Sequence, residues 1–232
     1  MIKLIIKVLL LGTAVSAGEQ PEVKVSGAMK NIMMNGDLSA HVNLDTLNKT
    51  HLYGLGPVPG LKGEIMILDG TVYTTAMDGI KLQNQQNKIS QAAMLVYSNV
   101  EKWKTVSSKA TVNSYADLEK LVEKTAKQNG YDTEIPFAFK IEASPEKASY
   151  HVIDWKEGVT HTMDNHKQFA YSGKLYNEKA VFLGFYSTHH QGIFTHHSTN
   201  MHIHILADKS KIAGHLDEVR ISGLITIYLP EK

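Results

Sequence analysis

The chain has 232 residues, 43% of them hydrophobic, with 24 basic residues against 23 acidic ones. This length is sufficient to bury a substantial core. The net charge of +1 excludes the strongly basic surface of a nucleic-acid-binding protein, so no nucleic-acid partner is expected. Cysteine is absent, arginine occurs once at Arg220, and histidine occurs 12 times. Any metal site must therefore use nitrogen and oxygen ligands.

The first 17 residues have the features of a cleaved secretory signal peptide. Lys3 precedes an apolar stretch from Leu4 to Val15, and the small residues Ser16 and Ala17 follow. The stretch is too short for a membrane-spanning helix, which needs about 20 apolar residues. An N-terminal strand or anchor is the alternative. We expect a periplasmic or secreted protein that does not contact the membrane after cleavage, with a single domain over residues 18–232 that has, at most, two sub-layers, 18–135 and 136–232.

The first half of the chain mixes short elements with turns. A short helix is predicted at residues 39–47, after a turn that contains Gly36. A hairpin is predicted at residues 64–75, with its turn at Asp69 and Gly70, and another strand at 92–100. The clearest helix covers residues 115–129, because Ser114 can cap its start and Gly130 can close its end.

The second half is rich in predicted strands separated by short turns, at residues 136–142, 150–155, 179–186, 201–206, 213–220 and 224–229. Strands that follow one another through short turns pair in antiparallel fashion. The sequence therefore predicts an α+β fold of mostly antiparallel or mixed sheets in two layers, with few helices.

Seven of the histidines fall between His189 and His215. On a strand over residues 201–206, His202 and His204 point to one face, and the intervening apolar residues point to the other. The turn at residues 208–210 would bring His215 onto the neighbouring strand, facing the same way. Three neutral imidazoles with an open position are typical of a catalytic site for Zn²⁺, or for Fe, Mn, Ni or Cu.

A histidine-rich polar face on an exposed sheet is the alternative interpretation of this cluster. His189, His190, His196 and His197 lie in the loop before the strand, where they would support the metal ligands, face the substrate or be solvated. Glu64 begins a strand in which alternation puts it on the same face as Met66 and Leu68. A carboxylate on an apolar face needs a partner, which a metal or a proton-transfer role would supply; a solvated strand end is the alternative.

Several stretches resemble the α-acetolactate decarboxylase family. Residues 61–70, Leu-Lys-Gly-Glu-Ile-Met-Ile-Leu-Asp-Gly, resemble the family's Leu-Asp-Gly-Glu-Leu-x-x-Leu-Asp-Gly, and residues 36–38, 52–56 and 180–185 are also similar. The His-x-His at 202–204, followed by His215 after Gly214, resembles the family's zinc triad. The similarity runs over most of residues 30–230.

The resemblance implies a two-layer α+β fold and a zinc ion held by His202, His204 and His215, with Glu64 as the nearby carboxylate. It also implies decarboxylation of a 2-hydroxy-2-methyl-3-oxo acid, α-acetolactate, to acetoin. The cation would stabilise the charge left when CO₂ departs, and Glu64 would manage the proton placed on carbon. A homodimer is left open.

This chain departs from the family on the substrate side of the site. The family places an arginine where residues 146–154 lie, and this stretch contains none. Lys147, Tyr150 or His151 would have to replace it, with Lys147 and His151 as the candidates for a positive charge. Arg220 is a poor substitute, because its odd separation from His215 points it to the opposite face of a regular strand. The family's C-terminal glutamate has no counterpart.

Three functions remain open. The first is a secreted metal-dependent decarboxylase that acts on acetolactate or a related keto acid. The second is a lyase or hydrolase that uses the same three-histidine site on a different substrate. The third is an exported metal-binding protein without catalysis, for which the additional histidine pairs would be natural ligands.

Overall fold

A computed structural model describes residues 19–159 and 165–232 of the chain. The predicted signal peptide, residues 1–17, lies outside the described residues. Within them, no helix is both long and apolar enough to cross a membrane. The described residues form two α-helices, α1 (Met29–Asn35) and α2 (Tyr115–Gln128), with short 3₁₀ turns at Leu44–Thr46, Pro59–Leu61 and His166–Phe169.

The strands occupy most of the remaining chain. They are β1 (Lys24–Ser26), β2 (Val42–Asn43), β3 (Leu52–Pro57), β4 (Glu64–Leu68), β5 (Thr71–Asp78), β6 (Lys81–Gln86), β7 (Gln91–Ala92), β8 (Leu95–Asn99), β9 (Trp103–Val112), β10 (Phe137–Ala143), β11 (Lys147–Ile153), β12 (Ala170–Leu175), β13 (Ala180–Tyr186), β14 (Met201–Ala207) and β15 (Ala213–Pro230).

Two large antiparallel sheets organise the structure. The first has six strands in the order β1-β8-β3-β4-β5-β6, and the second has seven, with β10-β13-β14-β15-β11-β12 in sequence and β9 paired to β15. The 18-residue β15 is long enough to pair with β14 and β11 along its first half and with β9 and β10 along its second. The predicted strands at 213–220 and 224–229 are therefore one continuous strand.

The two sheets pack face to face. Leu55, Met66 and Val96 of the first sheet meet Leu183 and Phe185 of the second in one buried apolar cluster. The outer face of the second sheet carries the largest apolar cluster, which α2 covers. Helix α2 confirms the prediction that Ser114 caps its start. The Ser114 side chain accepts a hydrogen bond from the Asp117 N–H at 3.1 Å. The predicted α+β class with layered sheets is confirmed.

The chain passes from the first sheet to the second between Asn99 and Trp103. Both β9 and α2 therefore lie with the second sheet, whereas the sequence interpretation grouped residues 18–135 as one sub-layer.

The helix predicted at residues 39–47 is wrong. Val42 instead pairs with Ala92 in a two-stranded ribbon, and a single 3₁₀ turn follows at Leu44–Thr46. The polar side chains explain this difference, because Asp37 accepts a hydrogen bond from the Ser39 N–H and Asn43 accepts one from the Asp45 N–H. Such local bonds favour turns over a continuous helix.

Helix α1 was not predicted. Its N-cap residue, Ala28, makes no side-chain capping bond, and no acidic residue lies in its first turn. The helix is held by tertiary contacts instead: the N–H groups of Met29 and Lys30 donate to the carbonyls of Ile193 and Gly192, both at 2.8 Å. Packing determines its position, so periodicity alone could not reveal it.

Candidate active site

Strand β14 places two histidines on one face. Met201, Ile203 and Ile205 belong to the apolar cluster beneath α2, so His202 and His204 point the other way, towards the first sheet. Both are buried, and His204 has no exposed surface. Burial lowers the pKa of His202 to about 3 and that of His204 well below its usual value. Both rings are therefore neutral at physiological pH, which is the form that binds metal ions.

His215 joins this pair through the register of the following strand. His204 and His215 are directly opposite each other in the β14–β15 ladder. The ring centre of His215 lies 5.0 Å from that of His202 and 5.6 Å from that of His204. Alternation along β14 and the hairpin turn at residues 208–210 thus bring the three histidines together, in the arrangement that the spacing predicts.

Glu64 reaches the cluster from the first sheet. It begins β4 and is buried, and its Oε2 lies 3.6 Å from Nε2 of His204. Its Oε1 accepts a hydrogen bond from the Ile153 N–H at 3.3 Å. Burial raises the pKa of Glu64 to about 7. Its carboxyl group can therefore gain or lose a proton near neutral pH, as a general acid or base must.

His151 adds a fourth imidazole. It lies on β11 directly opposite His215, and the two rings stack with centres 4.6 Å apart. Its Nδ1 lies 2.8 Å from Oδ1 of Asp217, within hydrogen-bond distance. The sequence predicts His151 as a candidate substrate partner, and the structure brings it into the histidine cluster.

Asp217 belongs to this cluster although no sequence pattern predicts it there. The β11–β15 ladder shifts register between Ser149 and Tyr150, which pair with Glu218 and Leu216, so Asp217 is the extra residue of a β-bulge. A bulge reverses the alternation of the strand beyond it. No sequence pattern marked this position, because a bulge becomes evident only when two strands are paired.

The bulge also changes the expectation for Arg220. Arg220 pairs with Lys147, on the same face of β11 as His151, rather than on the opposite face as a regular strand would require. Arg220 and Lys147 are both exposed, and neither lines the cavity over the histidine cluster. Lys147 lies four residues before His151, which corresponds to about 13 Å along a strand that rises about 3.3 Å per residue. The structure thus places Lys147 outside the site in which it was a candidate.

The loop histidines occupy four different settings. His189 is exposed and pairs with Glu134 at 2.7 Å. His190 bonds to Ser187 at 2.7 Å between Nδ1 and Oγ, and His197 is exposed. His196 lines the cavity.

A cavity of about 370 Å³ opens over the cluster, between the sheets and beside α1. Its polar lining includes Glu64, Tyr115, Thr199 and Glu218, together with four histidines and Asp217. The Tyr115 hydroxyl donates to the carbonyl of Met201 at 3.1 Å, and burial raises its pKa, so this phenol stays protonated. Among the described residues, no lysine or arginine lines the cavity.

The donor groups of the site fit a divalent metal ion. Nδ1 of His202 and both ring nitrogens of His204 are buried and lack a hydrogen-bond partner, which is costly unless a ligand binds there. In the described part of the chain, one set of three ligand-type side chains brings donor atoms within 4.8 Å of one another, namely His151, His215 and Asp217. This set shares only His215 with the predicted triad and adjoins His202 and His204. A candidate His/Asp metal site therefore exists in this cavity.

The fold is that of solved acetolactate decarboxylase structures. α-Acetolactate decarboxylase from Bacillus subtilis strain 168 is 16% identical with a TM-score of 0.72, over 91% of this chain and 86% of that one. The enzyme from Bacillus subtilis subspecies spizizenii is 16% identical with a TM-score of 0.73, over 91% and 87%. A Staphylococcus aureus protein of unknown function, described as similar to α-acetolactate decarboxylase, is 16% identical with a TM-score of 0.72, over 90% and 85%.

Among curated proteins, no match is found. A family model for α-acetolactate decarboxylase matches residues 26–229. The chain belongs to this family, which is a family of carboxy-lyases, and the fold and family together indicate an acetolactate decarboxylase-like function.

Proposed function

We propose that this protein is a metal-dependent decarboxylase that converts α-acetolactate, 2-hydroxy-2-methyl-3-oxobutanoate, into acetoin and CO₂. One observation carries the proposal: His202, His204 and His215 converge beside the buried Glu64 in a member of this family, and His202, His215 and Glu64 line a cavity. The three histidines are the proposed ligands of Zn²⁺ or of another divalent transition metal.

The bound cation would act as a Lewis acid towards the negative charge that develops as CO₂ leaves. The protein supplies three imidazoles from two adjacent strands, His202 and His204 from β14 and His215 from β15. His202 and His204 are buried, which limits access of water to the ion.

Glu64 handles the proton in this proposal. When the bond to the carboxylate carbon breaks, its electron pair moves towards the 3-oxo group, and one carbon must then gain a proton to give acetoin. Glu64 is suited to deliver it, because its carboxyl group is buried 3.6 Å from His204, and burial favours the protonated form.

His151 is the proposed partner of the substrate carboxylate. It is buried in the cavity wall, and the described lining contains no lysine or arginine. Asp217 holds the ring through the 2.8 Å bond at Nδ1. A ring fixed in this way loses little conformational entropy when the substrate binds.

The direct test is an acetoin assay of purified protein, prepared without a histidine tag, with racemic acetolactate as substrate. Formation of acetoin in proportion to protein and to bound metal is the expected result. Failure to form acetoin with a fully metal-loaded sample would contradict the proposal.

A second candidate function is metal binding without catalysis. The set formed by His151, His215 and Asp217 favours it, because together with His202 and His204 it offers more donor groups than one ion requires. Elemental analysis separates the two functions. A storage or scavenging protein would hold more than one ion per chain and give no acetoin, whereas the decarboxylase needs one ion per chain.

We also propose that the protein is exported to the periplasm or secreted after cleavage behind Ala17. N-terminal sequencing of the mature protein should then begin at Gly18. A small keto or hydroxy acid is the proposed partner of the cavity. The homodimer stays a prediction that sedimentation analysis would test.

A further inference from the structure

One wall of the cavity is apolar. It is formed by side chains from α1, from the loop after β3 and from the ends of other strands, namely Met29, Ile32, Met33, Leu61, Met94 and Ile153. The polar lining is formed by histidines and carboxylates, which come mainly from β11, β14 and β15. Acetolactate has only methyl groups as apolar parts.

The size of the cavity is also greater than acetolactate requires. At about 370 Å³ it falls within the range of about 300–1,000 Å³ that is usual for drug-sized ligands. Apolar surface facing an apolar part of a ligand contributes to affinity, whereas the same surface facing water does not.

The apolar wall is fixed in position rather than formed by a free segment. Backbone bonds from Met29 and Lys30 attach the start of α1 to the loop that leads to His196. Ile32 packs with Leu61, Met94 and Trp155 in a separate buried cluster. Met29 and Met33 border that cluster, and methionine side chains adapt readily to the shape of an alkyl chain.

We propose that the preferred substrate is a 2-hydroxy-3-oxo acid with a longer unbranched alkyl group in place of a methyl group of acetolactate, lying against Met29, Ile32 and Met33. This inference rests on the proposed decarboxylase function. Acetolactate itself is then a short member of the substrate series.

The first experiment measures decarboxylation of a series in which the 2-alkyl group is methyl, ethyl, propyl or butyl. The value of kcat/KM should rise about fourfold for each added methylene until the wall is covered, which is the effect of burying one CH₂ group. Constant or falling values, with acetolactate still turned over, would overturn the inference and leave the proposed function intact.

The second experiment uses matched variants of α1. Met33→Gln has a similar size but places an amide on the wall, so it should abolish the rise of kcat/KM with chain length. Met34→Gln is the control, because Met34 is on the same helix but is 79% exposed and does not line the cavity. If kcat/KM depends on chain length in the same way in both variants, Met33 does not contribute to the preference for longer alkyl groups. That result would contradict the role of α1.

A binding measurement separates this inference from the decarboxylase proposal. Non-reacting 2-alkyl-2-hydroxy acids of the same chain lengths are titrated into the metal-loaded protein by calorimetry. Affinity that increases with chain length, and that Met33→Gln removes, supports the apolar subsite even if no member of the substrate series is turned over. Affinity independent of chain length overturns it.

Discussion

His151 lies directly opposite His215 on the adjacent strand, and the two rings stack with centres 4.6 Å apart. The pairing is a property of the ladder, so the candidate substrate partner and a candidate metal ligand are held by the same backbone hydrogen bonds. A change of register in β11 would move His151 away from His215, which β14 also holds in place. The geometry of the metal and of the substrate carboxylate is therefore coupled in this fold.

The His151→Ala variant should bind acetolactate more weakly. A hydrogen bond to a charged group contributes about 1.5–3 kcal/mol, so KM should rise about tenfold or more while metal content stays near that of the parent. Lys147→Ala is the matched control, since Lys147 is on the same strand but exposed and away from the cavity. Steady-state kinetics on both variants give the result. If Lys147→Ala raises KM and His151→Ala does not, the assignment of His151 is wrong.

The three-histidine cluster was predictable because it depends on two local rules. Alternation puts His202 and His204 on one face, and a short turn sets the register that brings His215 opposite His204. Asp217 was not predictable, because it enters the cavity through a bulge that reverses the alternation. Helix α1 was missed for a related reason, since tertiary packing holds it and no cap marks its start.

Local sequence signals predicted one helix correctly and another wrongly. The Ser114 cap and Gly130 identified α2 within one residue of its observed end. The polar residues near Asn43 were misread as part of a helix, because the ribbon that Val42 forms with Ala92 is a contact distant in sequence.

Replacing His202, His204 or His215 with alanine should remove stoichiometric metal. Each substitution deletes one of three imidazoles and leaves the ion with an incomplete set of protein ligands. His189→Ala is the control, because His189 pairs with Glu134 at the surface. Elemental analysis of dialysed protein provides the measurement. A triad variant that keeps full metal occupancy would show that its residue is not a ligand.

Metal removal should lower the melting temperature. Ligands that bind only the folded state stabilise it, and at an ion concentration 100 times Kd the effect corresponds to about 5–10 °C for a chain of this size. His202 and His204 also leave ring nitrogens buried without partners when no ion is bound. Calorimetric scans before and after chelation measure the shift, which re-addition of metal should reverse. The His204→Ala variant should show little response to the chelator; a full response would place the stabilising ion elsewhere.

Glu119 on α2 offers a test of burial that is separate from the cavity. Burial raises the pKa of this half-buried carboxyl above 4.5, and its Oε2 accepts a hydrogen bond from the Asn200 N–H at 3.1 Å. The ionised form is thus disfavoured in the folded state, so this group's contribution to stability is lost as pH rises through its folded-state pKa. Glu119→Gln keeps an acceptor but cannot ionise.

The melting temperature of Glu119→Gln relative to the parent should therefore be higher at pH 8 than at pH 4. Glu157→Gln, at an exposed position, serves as the control and should show a nearly constant difference. A Glu119→Gln difference that does not change with pH would mean that burial of this carboxylate has no net cost.

Glu64→Gln should reduce turnover by about 10²-fold or more, because general acid or base catalysis by a placed side chain contributes about that much. The amide keeps the size of the side chain and an acceptor for the Ile153 N–H, so the fold should be preserved. Metal content should change less than in the histidine variants, since Oε2 of Glu64 lies 3.6 Å from His204 and the proposed ligands are the imidazoles.

Glu64→Asp retains the charge on a shorter side chain, so its turnover should be intermediate. Glu146→Gln, an exposed carboxylate on the turn before β11, is the control for loss of one negative charge. Single-turnover decarboxylation measured beside metal content separates the possibilities: a slow, metal-loaded Glu64→Gln enzyme supports proton transfer by Glu64. A Glu64→Gln enzyme that reacts at the parent rate would make Glu64 a structural residue between the sheets, and an inactive enzyme that has also lost its metal would make it a ligand.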